Sequence, residues 1–496
     1  MLATPHPSPN SRARRIRLAR AIPIPLLCAL FAFSALAQGV DSLSQVKSLF
    51  VDTFTGGNQA APLRDSFIQR LKKSGKYRIV DTQQEADATV EGTGQIWVRG
   101  HFTTNSRSPS VNRQAVYGGY LSIEIYGKDH QPLWSYLVTP SKFYWSSIQE
   151  DLAGNLVKQL LLARENKQLA AAVPGSTQAL AQASLSGAGA TFPDPLYRKW
   201  FQSFEELHPG VRLHYKGDGS EKGMCKLARG EVDFAASDVA QLNVPGCENG
   251  PPVRRIATVL GAVVPIYNLK DITQDLNFTP EILAGIYLGR IKKWNDPAIR
   301  KSNRDVDLPD ADIVVVHRSD GSGTTHAWSD FLSKSSPEWK SAVGIGTELQ
   351  WPVGNGAVGN DGVANEVQAT DNSIGYVELV YAFQHQLSYG AVRNASGNYV
   401  RADLNSVAEA ANTAITTDPN SLVSITNAPG KGAYPIASLT WLIFPQDMKD
   451  EPKKKALVEL LRWILTSGQQ ECSSLGYTPL PHNLAAQQLD LLNSFQ

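Results

Sequence analysis

Three glycine-rich turns constrain the fold of this 496-residue chain more than any other feature of its sequence. They occupy residues 187–193, 217–220 and 318–325, and each follows a short apolar segment that favours a β-strand. The first two lead into segments with the apolar spacing of an amphipathic helix. Glycine permits a tight turn, and proline or serine at its end favours the first residues of a helix. Repetition of a strand, a turn and a helix predicts an α/β fold.

Such turns are also candidate anion sites, because free N–H groups and the positive end of the helix dipole point at the same place. A single turn of this kind is more often an ordinary connection in an α/β protein. The third turn, however, combines glycines and hydroxyl groups with Arg318. A guanidinium together with hydroxyl groups is suited to a tetrahedral oxyanion. The three turns therefore predict an oxyanion site.

Residues 184–496 resemble the periplasmic phosphate-binding proteins of Pst-type ABC transporters. The resemblance is collinear and is carried by the turn before Ser220 and by six motifs, GAGATFP (187–193), VDFAASD (232–238), IYLGRIKKWND (286–296), RSDGSGTT (318–325), GNDGVANEVQ (359–368) and IGYVE (374–378). It implies a type II periplasmic-binding-protein fold, with one lobe at about 184–260 and 435–496 and the other at about 261–434. It also implies a monomeric binding protein without a cofactor, which delivers inorganic phosphate to a membrane permease and ATPase.

The same resemblance implies a set of phosphate ligands. They are Thr191, Phe192 through its backbone N–H, Ser220, Asp238, Arg318, Asp320, Ser322, Gly323 and Thr324. Phosphate near neutral pH keeps a proton, so its site needs one acceptor, and Asp238 is suited to that role. Sulfate has no proton to donate to this carboxylate, which predicts that the site rejects sulfate. For Asp320, support of the Arg318 guanidinium is the better interpretation.

The second turn departs from the family pattern. The family has Gly-x-Gly-Ser-Ser-Gly-Gly, whereas here charged residues, Glu221 and Lys222, follow Ser220. The negative charge of Glu221 beside a bound anion would lower the affinity for that anion, and the positive charge of Lys222 would offset this effect. The alternative is that both side chains point to solvent from the first turn of the helix.

The first 37 residues are typical of a signal peptide, which predicts a periplasmic or secreted protein. A basic segment ends at Arg20, an apolar stretch covers residues 21–33, and Ala35-Leu36-Ala37 resembles a cleavage site. A membrane anchor is the alternative, but the apolar stretch is shorter than a membrane span needs and contains two prolines.

Residues 40–166 predict a small α+β domain that precedes the two-lobed fold. The pattern of strands and helices is β-α-β-β-β-β-α, and residues 99–112 are typical of a mobile hairpin loop. The order of these elements and the segment EADATVEGTGQIWV resemble the envelope domains of TolB-like and CsgG-like proteins. This resemblance suggests an envelope partner. Residues 167–183 are rich in Ala and Gln, which is typical of a linker. Such a linker predicts no rigid coupling between the small domain and the lobes.

Charge and cysteine content exclude several classes of function. The formal net charge is +1, which disfavours a nucleic-acid-binding protein, and the nine histidines lack the spacing of a metal site. Cys28 would leave with the signal peptide; Cys225 and Cys247 are 22 residues apart and either form a disulfide or, like Cys472, stay as buried thiols. The remaining functional alternatives are a phosphate-binding protein used in sensing or adhesion, and a phosphatase.

Overall fold

The structure is a computed structural model that describes residues 42–103, 113–165, 180–240, 243–417 and 424–495. The predicted signal peptide, Cys28 and most of the predicted linker lie outside these ranges. The described residues belong to one structural unit. Within them, none of the helices has the length and apolar character that crossing a membrane requires.

The first part of the chain forms a five-stranded sheet in the order β2-β1-β3-β4-β5. Its strands are β1 Ser48–Val51, β2 Arg78–Val80, β3 Ala88–Thr103, β4 Arg113–Gly127 and β5 Pro132–Val138. Two helices, α1 Ala60–Ser74 and α2 Trp145–Glu165, pack their apolar sides into one core with the sheet. Leu121, Ile123 and Ile125 are fully buried in that core, as their alternation with polar residues predicts. The element order is the predicted β-α-β-β-β-β-α.

The predicted loop after Val98 is partly wrong. Strand β3 continues to Thr103 and pairs with β4, so that Arg99 lies within a long hairpin. The expected absence of rigid coupling is also wrong, because this domain makes buried contacts with the rest of the chain. Ser122 Oγ, for example, donates to the carbonyl of Ser474 at 2.6 Å.

The second part of the chain contains one large mixed sheet and a small one. The large sheet has the order β12-β11-β13-β9-β17-β8-β6-β7, with β14 paired to β9, and the small one has the order β10-β15-β16. The strands are β6 Ala183–Gly189, β7 Val211–Gly217, β8 Phe234–Ser237, β9 Val253–Asn268, β10 Asn277–Phe278, β11 Val314–Arg318, β12 Asn355–Ala357, β13 Ser373–Glu378, β14 Ser388–Tyr389, β15 Ala391–Arg393, β16 Tyr399–Val400 and β17 Ala437–Pro445.

Within the described ranges, eleven helices accompany these sheets. They are α3 Asp194–Leu207, α4 Ser220–Ala228, α5 Pro280–Tyr287, α6 Pro297–Ser302, α7 Gly323–Ser335, α8 Pro337–Ala342, α9 Gly359–Ala369, α10 Leu379–Gln384, α11 Leu404–Thr417, α12 Glu451–Leu465 and α13 His482–Asn493. A 3-10 helix, Ser467–Leu475, precedes α13.

Strand β9 connects two halves of the large sheet. It pairs with β17 as far as Ala262 and with β13 from Val263 onward. We therefore propose that the chain passes between two lobes at this point and returns at β17, which agrees with the lobe boundaries expected from the sequence. The first lobe then carries β6, β7 and β8, and the second carries β11, β12 and β13.

Candidate oxyanion site between the lobes

The three glycine-rich turns meet at the N-termini of α3, α4 and α7. The N–H of Gly323, at the start of α7, donates to Ser220 Oγ at the start of α4 over 3.2 Å. Gly219 has a φ of 107°, and a Cβ atom there would lie 2.9 Å from the carbonyl oxygen of Gly321. A side chain at this position would therefore be strained and would separate the two turns. The helix N-termini of the two lobes thus face each other at close range.

Asn360 joins the first turn to the third. Its Nδ2 group donates to Thr191 Oγ1 at 3.0 Å and, at 3.4 Å, to Thr324 Oγ1. Its Oδ1 atom accepts from the N–H of Glu378 at 3.3 Å, and its side chain is fully buried. Asn360 therefore fixes the positions of two of the predicted hydroxyl ligands.

Arg318 is held by Asp320 in a buried, two-pronged ion pair. Nε and Nη2 of Arg318 donate to the two carboxylate oxygens at 2.7 and 2.5 Å, and the side chains are only 1% and 4% exposed. Burial would raise the pKa of Asp320, but the hydrogen bonds and charge of Arg318, with the Gly359 N–H, outweigh it and lower that pKa. Nη1 lies 3.5 Å from Thr324 Oγ1, so the pair presents the guanidinium to the third turn.

Asp238 places a carboxylate oxygen against the N-terminus of α7. Its Oδ1 atom accepts from Thr440 Oγ1 at 2.6 Å, whereas its buried Oδ2 atom has no hydrogen-bond partner among the described residues. A Cβ atom on Gly323 would lie 2.5 Å from Oδ2, which explains why glycine is needed there. Burial raises the pKa of Asp238 to about 7, although Thr440 and the charge of Arg318 lower it. The arrangement provides one free acceptor at a place where donors converge.

Ser322 and Phe192 complete the predicted set. Ser322 Oγ accepts from the N–H of Thr325 at 3.1 Å and so caps α7. The Phe192 ring is fully buried, and its carbonyl accepts from the Tyr477 hydroxyl at 2.6 Å, which fixes the backbone next to Thr191. The structure thus brings all nine predicted positions into one connected group.

The Glu221 carboxylate lies against Gly321 of the third turn. Thr347 Oγ1 donates to its carboxylate, and its own N–H donates to the Gly321 carbonyl at 3.3 Å. Since Glu221 belongs to the first lobe and Thr347 to the second, this contact joins the lobes. The interpretation that Glu221 points to solvent is wrong, while Lys222 is exposed as expected.

Two polar residues of the site were missed by sequence reasoning. Asn360 lies in the motif GNDGVANEVQ, which was recognised as a resemblance but not as part of the site. Thr440 is a buried hydroxyl in the otherwise apolar strand β17, and its partner Asp238 is about 200 residues away. A threonine within an apolar strand is a weak signal, because threonine is common in strands.

Cys225 and Cys247 form a disulfide with a Cα–Cα distance of 5.1 Å, and Cys472 is a buried free thiol. The disulfide joins α4 to the loop that follows β8. In the part of the chain that the structure describes, no three His, Cys, Asp or Glu side chains are grouped so that they could hold a metal ion.

Comparison with known proteins shows the family to which the chain is related. A model of the PBP superfamily domain matches residues 174–467. The phosphate-binding protein PstS of Xylella fastidiosa (strain Temecula1) is 41% identical over 320 residues, which cover 63% of this chain and 86% of that protein. The chain belongs to the PstS family of the PBP superfamily.

Two further similar proteins cover a comparable share of the chain. PstS of Pasteurella multocida is 38% identical over 303 residues, covering 61% of this chain and 87% of its own. A solved phosphate-binding protein from Stenotrophomonas maltophilia is 20% identical with a TM-score of 0.48, covering 62% of this chain and 93% of its own. The predicted periplasmic-binding-protein fold is confirmed by the match to the superfamily domain. That match begins at residue 174, so the first sheet and its helices precede the PstS-type region.

Proposed function

We propose that this protein binds one inorganic phosphate ion between its two lobes and delivers it to the permease and ATPase of an ABC transporter. The observation that carries the proposal is the free Oδ2 atom of Asp238, placed where the α4 and α7 N-termini and Arg318 converge. One acceptor among many donors matches a tetrahedral oxyanion that keeps a proton. The chain is a binding protein, and no enzymatic step is needed for this role.

The donors of the site fit the charged oxygens of phosphate. First-turn N–H groups have no acceptor within their own helix, and the helix dipoles favour a negative charge. Arg318 contributes a fixed positive charge, and Thr191, Ser220 and Thr324 contribute hydroxyl groups. Phosphate in this position would contact both lobes, so binding favours the closed arrangement of the lobes.

The relatives support a periplasmic or extracellular location for the protein. The predicted signal peptide agrees with export, and we propose the periplasm as the site of action. We also propose that the protein acts as a monomer and that the first domain contacts an envelope partner.

The proposal is tested by calorimetric titration of the mature protein with phosphate. We expect one phosphate per chain, and we expect arsenate to compete because it has the same shape and the same protonation. Sulfate is expected to compete poorly at pH 8. Absence of saturable phosphate binding would overturn the proposal.

The choice between phosphate and sulfate should depend on pH. Because the pKa of Asp238 is about 7, the ligand-free carboxyl is ionised at pH 8 and largely protonated at pH 6. The protonated form donates a hydrogen bond that sulfate accepts, so we expect sulfate affinity to rise as the pH falls through 7. Competition titrations at pH 6, 7 and 8 measure this change; a constant ratio of the two affinities would contradict it.

Thr440→Val should shift the pH dependence of sulfate binding to higher pH. The hydroxyl of Thr440 lowers the pKa of Asp238 by donating to the charged carboxylate, so its removal raises that pKa further. We expect the pH at which sulfate is excluded to increase, and we expect a loss of folding stability of about 1–3 kcal/mol. Thr440→Ser keeps the hydroxyl and is the matched control, with the pH profile of the wild type. An unchanged profile in Thr440→Val would show that Thr440 does not position Asp238.

A further inference from the structure

One hairpin of the first domain, formed by β3 and β4, contacts both lobes. Its contact with the first lobe centres on Glu124 of β4. Lys199 Nζ lies 2.9 Å from Glu124 Oε2, and Ser474 Oγ donates to Glu124 Oε1 at 2.6 Å. Ser122, two residues earlier on β4, donates to the Ser474 carbonyl, and both serines are buried. These contacts attach the hairpin to α3 and to the 3-10 helix before α13.

One contact with the second lobe is made by Arg99 of β3. Its Nη2 group lies 2.7 Å from Asp275 Oδ1 and donates to Ser388 Oγ at 3.3 Å, and the Arg99 side chain is only 7% exposed. Asp275 also pairs with Arg401 at 3.1 Å. Next to Arg99, Gly100 lies so close to Thr273 that a Cβ atom would be 3.1 Å from its methyl group.

The two contacts are far apart along the hairpin. Glu124 is opposite Glu91 in the register of β3 and β4, and Arg99 lies eight residues beyond Glu91. At about 3.4 Å per residue, this separation is about 27 Å. Between these points the Tyr120 ring packs near Phe383, with 6.2 Å between the ring centroids. The hairpin therefore extends from the first lobe across to the second.

The lobes themselves are in contact through the candidate site. Ser220 is bonded to Gly323, and Glu221 to Thr347. When lobes of this type separate, they rotate about the connecting strands. The hairpin contacts the two lobes at points that are about 27 Å apart along its strands. It therefore cannot move together with both lobes during such a rotation. Opening of the lobes is therefore expected to break at least one of these contacts.

The contacts between the hairpin and the lobes can break while the first domain stays folded. The core of the first domain and the core of the lobes are separate clusters. A cavity of about 450 Å³ remains between them, lined by Glu91, Tyr120, Glu124, Lys199 and Phe383 among others. The contacts across this interface include hydrogen bonds, ion pairs and the ring contact of Tyr120 with Phe383. Interfaces with many polar contacts are common between domains that move relative to each other.

We propose that the β3–β4 hairpin is a strap that holds the two lobes together and so slows the release of phosphate. This inference rests on the proposed function. It gives the first domain a role in the binding cycle, in addition to any contact with an envelope partner.

The strap is tested by Arg99→Ala in the full mature protein. The protein is loaded with radiolabelled phosphate, and its release is followed after addition of excess unlabelled phosphate. We expect release to be about three to ten times faster, because one partly buried charged pair no longer opposes opening. Arg70→Ala is the matched control, since Arg70 forms an ion pair with Glu150 within the first domain and is expected to leave the rate unchanged. Release of Arg99→Ala at the wild-type rate would overturn the proposal.

A second variant tests the effect of strengthening the contact between the hairpin and the second lobe. Gly100→Cys with Thr273→Cys places two thiols at a point where the hairpin touches the second lobe. We expect phosphate release to be slower from the oxidised variant than from the same variant after reduction. Wild-type protein under the same conditions controls for the Cys225–Cys247 disulfide. Equal rates in the two forms would contradict the strap, whereas a wild-type protein that binds no phosphate would contradict the proposed function itself.

Discussion

Arg318→Ala is expected to lower both phosphate affinity and folding stability. Removal of the guanidinium should reduce binding by about 2–4 kcal/mol, because a charge-assisted donor to the anion is lost. It also leaves Asp320, whose side chain is 4% exposed, without its charged partner. Removal of one partner from a buried ion pair destabilises a protein by about 3–5 kcal/mol. Titration calorimetry and chemical denaturation measure the two effects separately.

A second replacement separates the two roles of Arg318. Arg318→Met with Asp320→Asn removes both charges, so we expect much of the lost stability to return while phosphate affinity stays low. Arg318→Lys should recover only part of the binding, since an ammonium group cannot reproduce the paired geometry. Wild-type phosphate affinity in Arg318→Ala would show that Arg318 is not a ligand. The buried pair with Asp320 is the reason that we expect stability as well as binding to change in this variant.

Asp238→Asn is expected to change selectivity more than phosphate affinity. Thr440 donates to Oδ1 of Asp238, so the amide oxygen of asparagine should stay with Thr440 and its NH2 group should face the ligand. Sulfate then gains a donor, and we expect its affinity to rise by about ten- to a hundredfold, or about 1.4–2.7 kcal/mol. Phosphate affinity should fall by less than the sulfate affinity rises.

Competition titrations at pH 8 measure this selectivity. Asp233→Asn is a suitable control, because Asp233 lies five residues earlier in the same motif and bonds Ser186 and Lys453 instead of facing the turns. Its selectivity should match that of the wild type. If sulfate remained excluded in Asp238→Asn, Asp238 would not be the group that recognises the proton of phosphate.

Local sequence patterns were sufficient for the parts of the site that lie within one segment. A side chain at Gly219 would collide with the third turn, and one at Gly323 would collide with the Asp238 carboxylate. The glycine pattern of the sequence indicates such turns. Asp320 follows Arg318 by two residues, so their pairing could be expected from the chain itself. The alternating residues of β4 likewise indicated a half-buried strand.

Contacts between distant segments could not be predicted from local sequence patterns. Thr440 meets Asp238 because β17 and β8 are neighbours in the sheet, a pairing that depends on the whole fold. Glu221 turns toward Thr347 only because the lobes are close together. The position of Arg99 against Asp275 depends on how two separate hydrophobic cores meet, and local periodicity in the sequence does not predict it.

We expect the buried carboxylate of Asp238, among converging donors, to select a protonated oxyanion. The most direct test is calorimetric titration of the mature wild-type protein with phosphate and with sulfate at pH 8. We expect phosphate to bind at least about a thousandfold more tightly, which corresponds to about 4 kcal/mol. Equal affinities for the two anions would show that the site does not select a protonated oxyanion.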